Sequence, residues 1–382
     1  MKRTILILFV AICSSIGNMA YSQKAVQPQT VAVPSSLYLE GDRNHVQGIV
    51  CDIEAGCFYF SFTTRFVKAD FQGKVLGSID KIQGHLGSMT FDPSTRKVYA
   101  SLECKDDVIG KNLSTFAAGR SKFYIAVIDV DRLDRIGMDS ERNSIFRTVS
   151  LADVEADYHA KVELDGQTVD HRYSCSGIDG VTIAPKIGKK GGKQYLYCAY
   201  GVYRGDLRSD NDYQVIGRYD LAQLDAKAST VVFGEFDQRS IEKPQEKYFV
   251  YTGNTEWGVQ NLCYDPTTGY MILAVYRGHK PQFPNYSHFT VDVAKKPSKS
   301  VLQGVSYDTS RHPILKLADF GLGNSNDAVT GWNFPWGSTG MSALGRGVFV
   351  FSQNGRSDAG KQFCKTHLMR WTGDPANPFV EL

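Results

Sequence analysis

Five of the chain's eight histidines, His45, His85, His171, His279 and His288, stand in short polar segments beside apolar runs. The same segments carry Trp257, Trp336, Tyr173, Tyr203 and Tyr276, and the cations Arg172, Arg204, Arg277 and Arg356. Imidazole titrates near neutral pH and can give or take a proton there. An aromatic face beside a fork-shaped cation suits a sugar that bears a carboxylate. Most glycosidases work with two carboxyl groups. These segments offer Glu103, Asp106, Asp107, Asp170 and Asp206 without an obvious matched pair. A histidine acid, helped by a carboxylate on the substrate, is then the simplest arrangement. The competing reading of any one loop histidine is a hydrogen-bonded surface residue. The convergence of several is what raises the chemical reading.

Other chemistry is thin. There is no G-x-S-x-G nucleophile turn and no phosphate loop. "DVDRLDRIGMD" lacks the glycine and terminal glutamate of a calcium loop and reads as an outer strand with a turn. "CKDDVIG" reads as a solvated turn. No metal and no cofactor are expected.

The elements that must position these residues repeat. "HVQGIVCDIEAGCFYFSF", "GHLGSMTFDPSTRKVYASL", "SCSGIDGVTIAPKIGKKGGKQYLYCAY", "WGVQNLCYDPTTGYMILAVY" and "WGSTGMSALGRGVFVFSQ" share one pattern. Small or polar residues lead to a Gly or Asn, then an apolar run, a turn, and an aromatic-rich strand. Alternation with turn chemistry of this kind marks β-hairpins, and recurrence marks a repeat architecture. The anchors Gly48, Gly87, Gly180, Asn261 and Gly340 are spaced by 39, 93, 81 and 79 residues. The expectation is an all-β propeller, with blades of roughly 40–50 residues. The wide gaps mean either long insertions or two blades that have lost the signature. In a propeller, the lead-ins to the inner strands and the loops joining second to third strands meet at one end of the channel. His45, His85 and His171 should therefore surround one mouth. Trp257 and Trp336 either line it or fill gaps between blades. Only "SLADVEADYHAKVE" promises more than one helical turn.

Residues 1–22 read as a secretory signal: Lys2 and Arg3, then the apolar "ILILFVAIC", then Ala20-Tyr21-Ser22. Bulky Ile12 before Cys13 argues against lipid attachment there. Residues 23–382 then form one propeller domain, exported to the periplasm or beyond. Of 43 basic and 40 acidic residues, the signal removes two basic ones, leaving a charge of +1. That excludes the basic footprint a nucleic-acid partner needs. No later run is long and apolar enough to span a membrane. A monomer is expected. Cys51, Cys57, Cys104, Cys175, Cys198, Cys263 and Cys364 follow the signal without a C-x-x-C, so they read as buried apolar residues. Cys51–Cys57 is the one pair placed for a hairpin disulfide.

Taken together, "HVQGIVCD", "IQGHLGSMTFDPSTRKVYASLECKDD", "HRYSCSGIDGVTIAP", "YLYCAYGVY", "GNTEWGVQNLCYDP" and "PWGSTG" resemble glycoside hydrolase family 145 and its lyase relatives. The resemblance runs from about Val33 to the C-terminus. It implies seven blades and cleavage of terminal L-rhamnose joined α-1,4 to D-glucuronate, a cap of arabinogalactan and gum arabic side chains. The partner would be a plant oligosaccharide ending in that unit. The family's essential histidine falls on His45. Its relatives break the same bond by β-elimination, which needs a neutralised uronate carboxylate, a base and an acid. The resulting site is His45, His85 and His171 for catalysis, with Tyr173, Arg172, Arg277, His279, Gln260 and Trp336 binding substrate. Residue chemistry alone, rich in His, Tyr and Arg, leans to elimination; the resemblance, through His45, makes hydrolysis the leading expectation. Elimination is the alternative, and a sugar-binding propeller without catalysis the third.

Overall fold

The structure is a computed structural model. It describes residues 32–41, 43–106, 110–111, 121–231, 239–323 and 329–382. The signal segment and Asp107 lie outside the described residues.

Five sheets, antiparallel from their inner strands outward, stand around a channel, so the chain is an all-β propeller of five blades. The inner strands are Gly48–Asp52, His85–Asp92, Cys175–Pro185, Thr255–Asp265 and Met341–Gly345. These carry the five anchors or, for Gly340, follow directly from it. Blade I continues through Cys57–Ser61, Phe66–Asp70 and Val75–Asp80, and blade II through Lys97–Cys104, Lys122–Asp129 and Phe146–Leu151. Blade III adds Gln194–Val202, Tyr213–Asp220 and Glu246–Tyr251, and blade IV adds Tyr270–Arg277 and His288–Asp292. In blade V, Val348–Arg356 and Gln362–Trp371 are flanked by the early strand Tyr38–Glu40, which pairs with Phe363–Lys365. That pairing closes the ring.

The expectation of seven blades is corrected. The wide anchor spacings are insertions. Helix Ala152–His159 and the hairpin Lys161–Leu164/Gln167–Asp170 separate blades II and III. Strands Ser298–Ser300 and His312–Leu315 leave blade IV and extend the sheet of blade III. The helix in "SLADVEADYHAKVE" forms as expected. A second, Leu221–Lys227, also forms, its first turn capped by Asp220 accepting from the Gln223 amide at 3.1 Å.

Sequence dictates the ring in two ways. Inner strands are buried on both faces, with alternate residues in different clusters. Ile49 and Cys51 face blade V, while Val50 faces blade II. One apolar cluster fills each of the five blade interfaces. The anchors mark where neighbouring inner strands nearly touch. A Cβ on Gly48 would stand 2.8 Å from the Gly87 carbonyl, and one on Gly340 3.0 Å from the Ile49 amide. Asn261 serves the same junction by bonding. Its amide donates to the carbonyls of Gln47 (3.1 Å) and Ser338 (3.3 Å) and accepts from the Ser88 hydroxyl (3.0 Å).

All seven cysteines of the described chain are free and buried. Cys51 opposes Phe58 while Asp52 opposes Cys57. The two thiols therefore point to opposite faces of the sheet, and the hairpin disulfide does not form.

Candidate functional site

A cavity of about 420 Å³ opens where the inner strands begin. Blade I supplies His45 and Gln47, blade II His85, Glu103 and Lys105, blade III Asp179, and blade IV Trp257, Gln260 and Tyr276. A second hollow, about 460 Å³, lies on the outer edge among Asp131, Arg132, Asp134 and Arg135. It holds solvated charges and no histidine, so the channel end is the better chemical candidate.

Strand irregularity aims these side chains. The pairing of inner and second strands slips at Leu86/Met89, at Ile178/Val181 and at both Glu256/Val259 and Val259/Asn261. A bulge bends the strand and re-aims the residue it carries. The slips put Asp179, Trp257 and Gln260 on the cavity side. His85 opens its strand directly opposite Glu103.

The polar residues form a connected array. Glu103 accepts from the Lys105 ammonium at 2.9 Å and from the Ile178 amide at 2.8 Å, and its other contact is His85 Nδ1 at 3.7 Å. The Gln47 amide nitrogen stands 2.9 Å from His85 Nε2 and 2.6 Å from His45 Nε2. The Gln47 amide thus ties the two imidazoles together at one point of the cavity. Burial and the neighbouring His85 lower the His45 pKa, which keeps that ring neutral. Burial alone would raise Glu103. Lys105 and His85 more than offset it, so Glu103 sits below the usual carboxylate range. Asp179 goes the other way, pushed up to about 7 by burial and by the Glu103 charge, against the pull of His85, the Ser88 amide and Lys105. Two buried carboxyl groups in one cavity thus differ in protonation at neutral pH. Environments that push carboxyl groups apart in this way are how sites assign acid and base.

Of the residues expected at the site, the cavity unites His45, His85 and Gln260. The others stand elsewhere, each with local partners. His171 bonds through Nδ1 to the Tyr158 carbonyl at 2.6 Å and does not line the cavity. Arg172 pairs with Asp157 at 3.2 Å, and the buried Tyr173 donates to Asp308 at 2.6 Å. The insertion before blade III and the segment around residue 308 supply those partners. Arg277 donates to the Asn285 carbonyl at 2.6 Å, and His279 faces Glu256 at 3.9 Å. Trp336 stacks on His367 at 3.8 Å. His288 is fully enclosed against Trp332 at 4.2 Å, and burial lowers it to about 3. Asp106 faces Lys111 at 3.4 Å and Asp170 faces Lys161 at 3.6 Å, while Asp206 is exposed. Sequence reasoning missed Gln47, Lys105 and Asp179. The i, i+2 spacings His45/Gln47 and Glu103/Lys105 were the available signal, since such residues share a strand face. Nothing in the sequence announces the bulge that turns Asp179. Among the described residues, no group of three or more His, Cys, Asp or Glu is placed to hold a metal ion.

No family model and no curated protein matches the chain. Solved structures similar to it include the hydrazine synthase of Kuenenia stuttgartiensis, at 10% identity and a TM-score of 0.31, covering 92% of this chain and 67% of that one. A nidogen/laminin complex is similar at 9% identity and a TM-score of 0.34, covering 83% and 77%. Drosophila semaphorin 2a is similar at 12% identity and a TM-score of 0.39, covering 87% of this chain and 49% of that one. The propeller is read from the strand order itself.

Proposed function

We propose that the protein is an exo-acting glycosidase that hydrolyses the bond between terminal L-rhamnose and D-glucuronate. The observation that carries hydrolysis is Asp179, a buried carboxyl raised to about 7 and lining the same cavity as the neutral His45. Asp179 gives its proton to the leaving oxygen. His45 lets go of the Gln47 amide and takes a proton from water at Nε2. Glu103 and Gln47 are positioning residues that hold His85 and, through it, the array. Trp257 and Tyr276 offer ring faces to the sugar. The rhamnosyl-glucuronate identity rests on the sequence resemblance. Elimination of the same bond is the second reading: Arg172 and Arg277, expected on the uronate carboxylate in either chemistry, stand away from the cavity, and Lys105 is the cation that lines it. Export through the leading segment and a monomeric state complete the reading. Among the described residues no helix is long and apolar enough to cross a membrane.

The test is incubation of the purified protein with gum arabic, following free rhamnose and ultraviolet absorbance together. Rhamnose release at constant absorbance is expected. Binding of the capped glycan without release would make the protein a lectin-like propeller.

A further inference from the structure

We infer that a second sugar subsite runs outward from the cavity along Trp257, Tyr203 and His171. It rests on the glycan-cleaving reading and extends it: this file holds a sugar unit beyond the bond that is cut. Trp257 forms part of the cavity wall. Its ring meets Tyr203 at 5.8 Å, Tyr203 meets His171 at 4.9 Å, and His171 meets the buried Tyr158 at 4.6 Å. The file is therefore anchored at one end in the core and open to the cavity at the other.

Burial does not account for Trp257. The residue is 42% exposed, yet its backbone is held at φ +63°. His171 is held at φ +70°. Non-glycine residues in that region persist only where the surroundings fix them. Here they do. The Trp257 carbonyl accepts from the Gln260 side chain at 2.9 Å. Gly258 packs so close to blade III that a Cβ would lie 2.6 Å from the Tyr200 carbonyl. His171 is fixed by its bond to the Tyr158 carbonyl. The fold thus holds two strained residues in place to present rings at the surface. The rings meet at 64° and 43°, a stepped aromatic file whose facets suit the C–H faces of successive sugars. Beside them, Glu256 lies 3.9 Å from both Arg204 and His279, a polar fringe matched to sugar hydroxyls. In an exo-acting enzyme the terminal sugar fills the cavity and the rest of the chain leaves by the open side, so the file takes the part of the glycan that follows the glucuronate.

The experiment compares rhamnosyl-glucuronate disaccharide with gum arabic oligosaccharides that carry one to three further sugars. Wild type is expected to favour the longer substrates in kcat/KM. Tyr203→Ala should shrink that preference about tenfold, and Tyr203→Phe, which keeps the ring, should retain it. A preference that is absent in wild type, or is untouched by Tyr203→Ala, overturns the subsite. A turnover-free readout separates this inference from the reading beneath it. Uncapped gum arabic oligosaccharides, titrated against the protein, should change its tryptophan fluorescence, and Tyr203→Ala, which leaves the cavity lining intact, should abolish the change. That signal without any cleavage of capped substrate would sink the glycosidase and leave the subsite standing. Cleavage without the signal would do the reverse.

Discussion

In the proposed hydrolysis Asp179 and His45 carry the chemistry, and each has a measurable signature. His45→Ala should lower turnover by about 10²–10⁴, the usual worth of a general acid or base. Unchanged turnover would remove His45 from the mechanism. As the acid, Asp179 is active while protonated, so kcat should fall as pH rises through about 7. Asp179→Asn should abolish that limb along with most activity. The same group has a stability signature with a definite sign. Its folded pKa, about 7, exceeds the unfolded value of about 3.9. The wild type is therefore favoured below about 3.9 and loses that contribution as pH rises through about 7. Asp179→Asn keeps an oxygen to accept from the Ser88 amide, which bonds Asp179 at 3.3 Å. Its melting temperature should exceed that of wild type at pH 8, with the gap closing near pH 4. A lower melting temperature at pH 8 would mean that Asp179 is ionised and compensated.

At the scale of elements, the inner strands and their bulges decide the geometry. Gly177 leads into the bulge of blade III with φ +124°, and a Cβ there would stand 2.0 Å from Glu103 Oε1. Gly177→Ala should displace the Glu103 carboxylate, destabilise the fold by about 1–3 kcal/mol and lower activity beyond that loss. Gly191, with open space around it, is the control, and Gly191→Ala should be neutral. Equal behaviour of the two variants in melting and activity would refute the positioning role of Glu103. These elements also show what could be read from residues alone. Inner strands were legible because close approach demands a small residue at each anchor and because Asp52, Asp92 and Asp265 bond the turn amides that follow them. His45 and His85 were legible because they stand immediately before, or open, such strands. Asp179 was not, because a bulge reverses the face that strict alternation assigns. His171, Arg172 and Tyr173 were misplaced because an insertion gives the lead-in of blade III its own partners. The short helix Leu221–Lys227 escaped notice because seven residues are too few for a periodic signal.

At the scale of the molecule, the ring is closed by one strand from the start of the chain. Tyr38–Glu40 pairs with blade V, and Leu37, Leu39 and Val46 join the cluster between blades I and V. A chain beginning at Asn44 loses that edge and part of that cluster. Calorimetry should show a melting temperature lower by many degrees or a loss of the single cooperative transition. An unchanged transition would show that the blade clusters alone hold the ring. Seven blades were expected and five are present, so the link to rhamnosyl-glucuronate stands on residue phrasing without the blade number. The direct measurement is the mass of the glucuronate-bearing product formed from a rhamnosyl-glucuronate oligosaccharide by wild type and by Asp179→Asn. A saturated glucuronate is expected from wild type, with a large loss of product for Asp179→Asn. A wild-type product lighter by one water, the mark of elimination, or no product at all, would contradict the proposed hydrolysis.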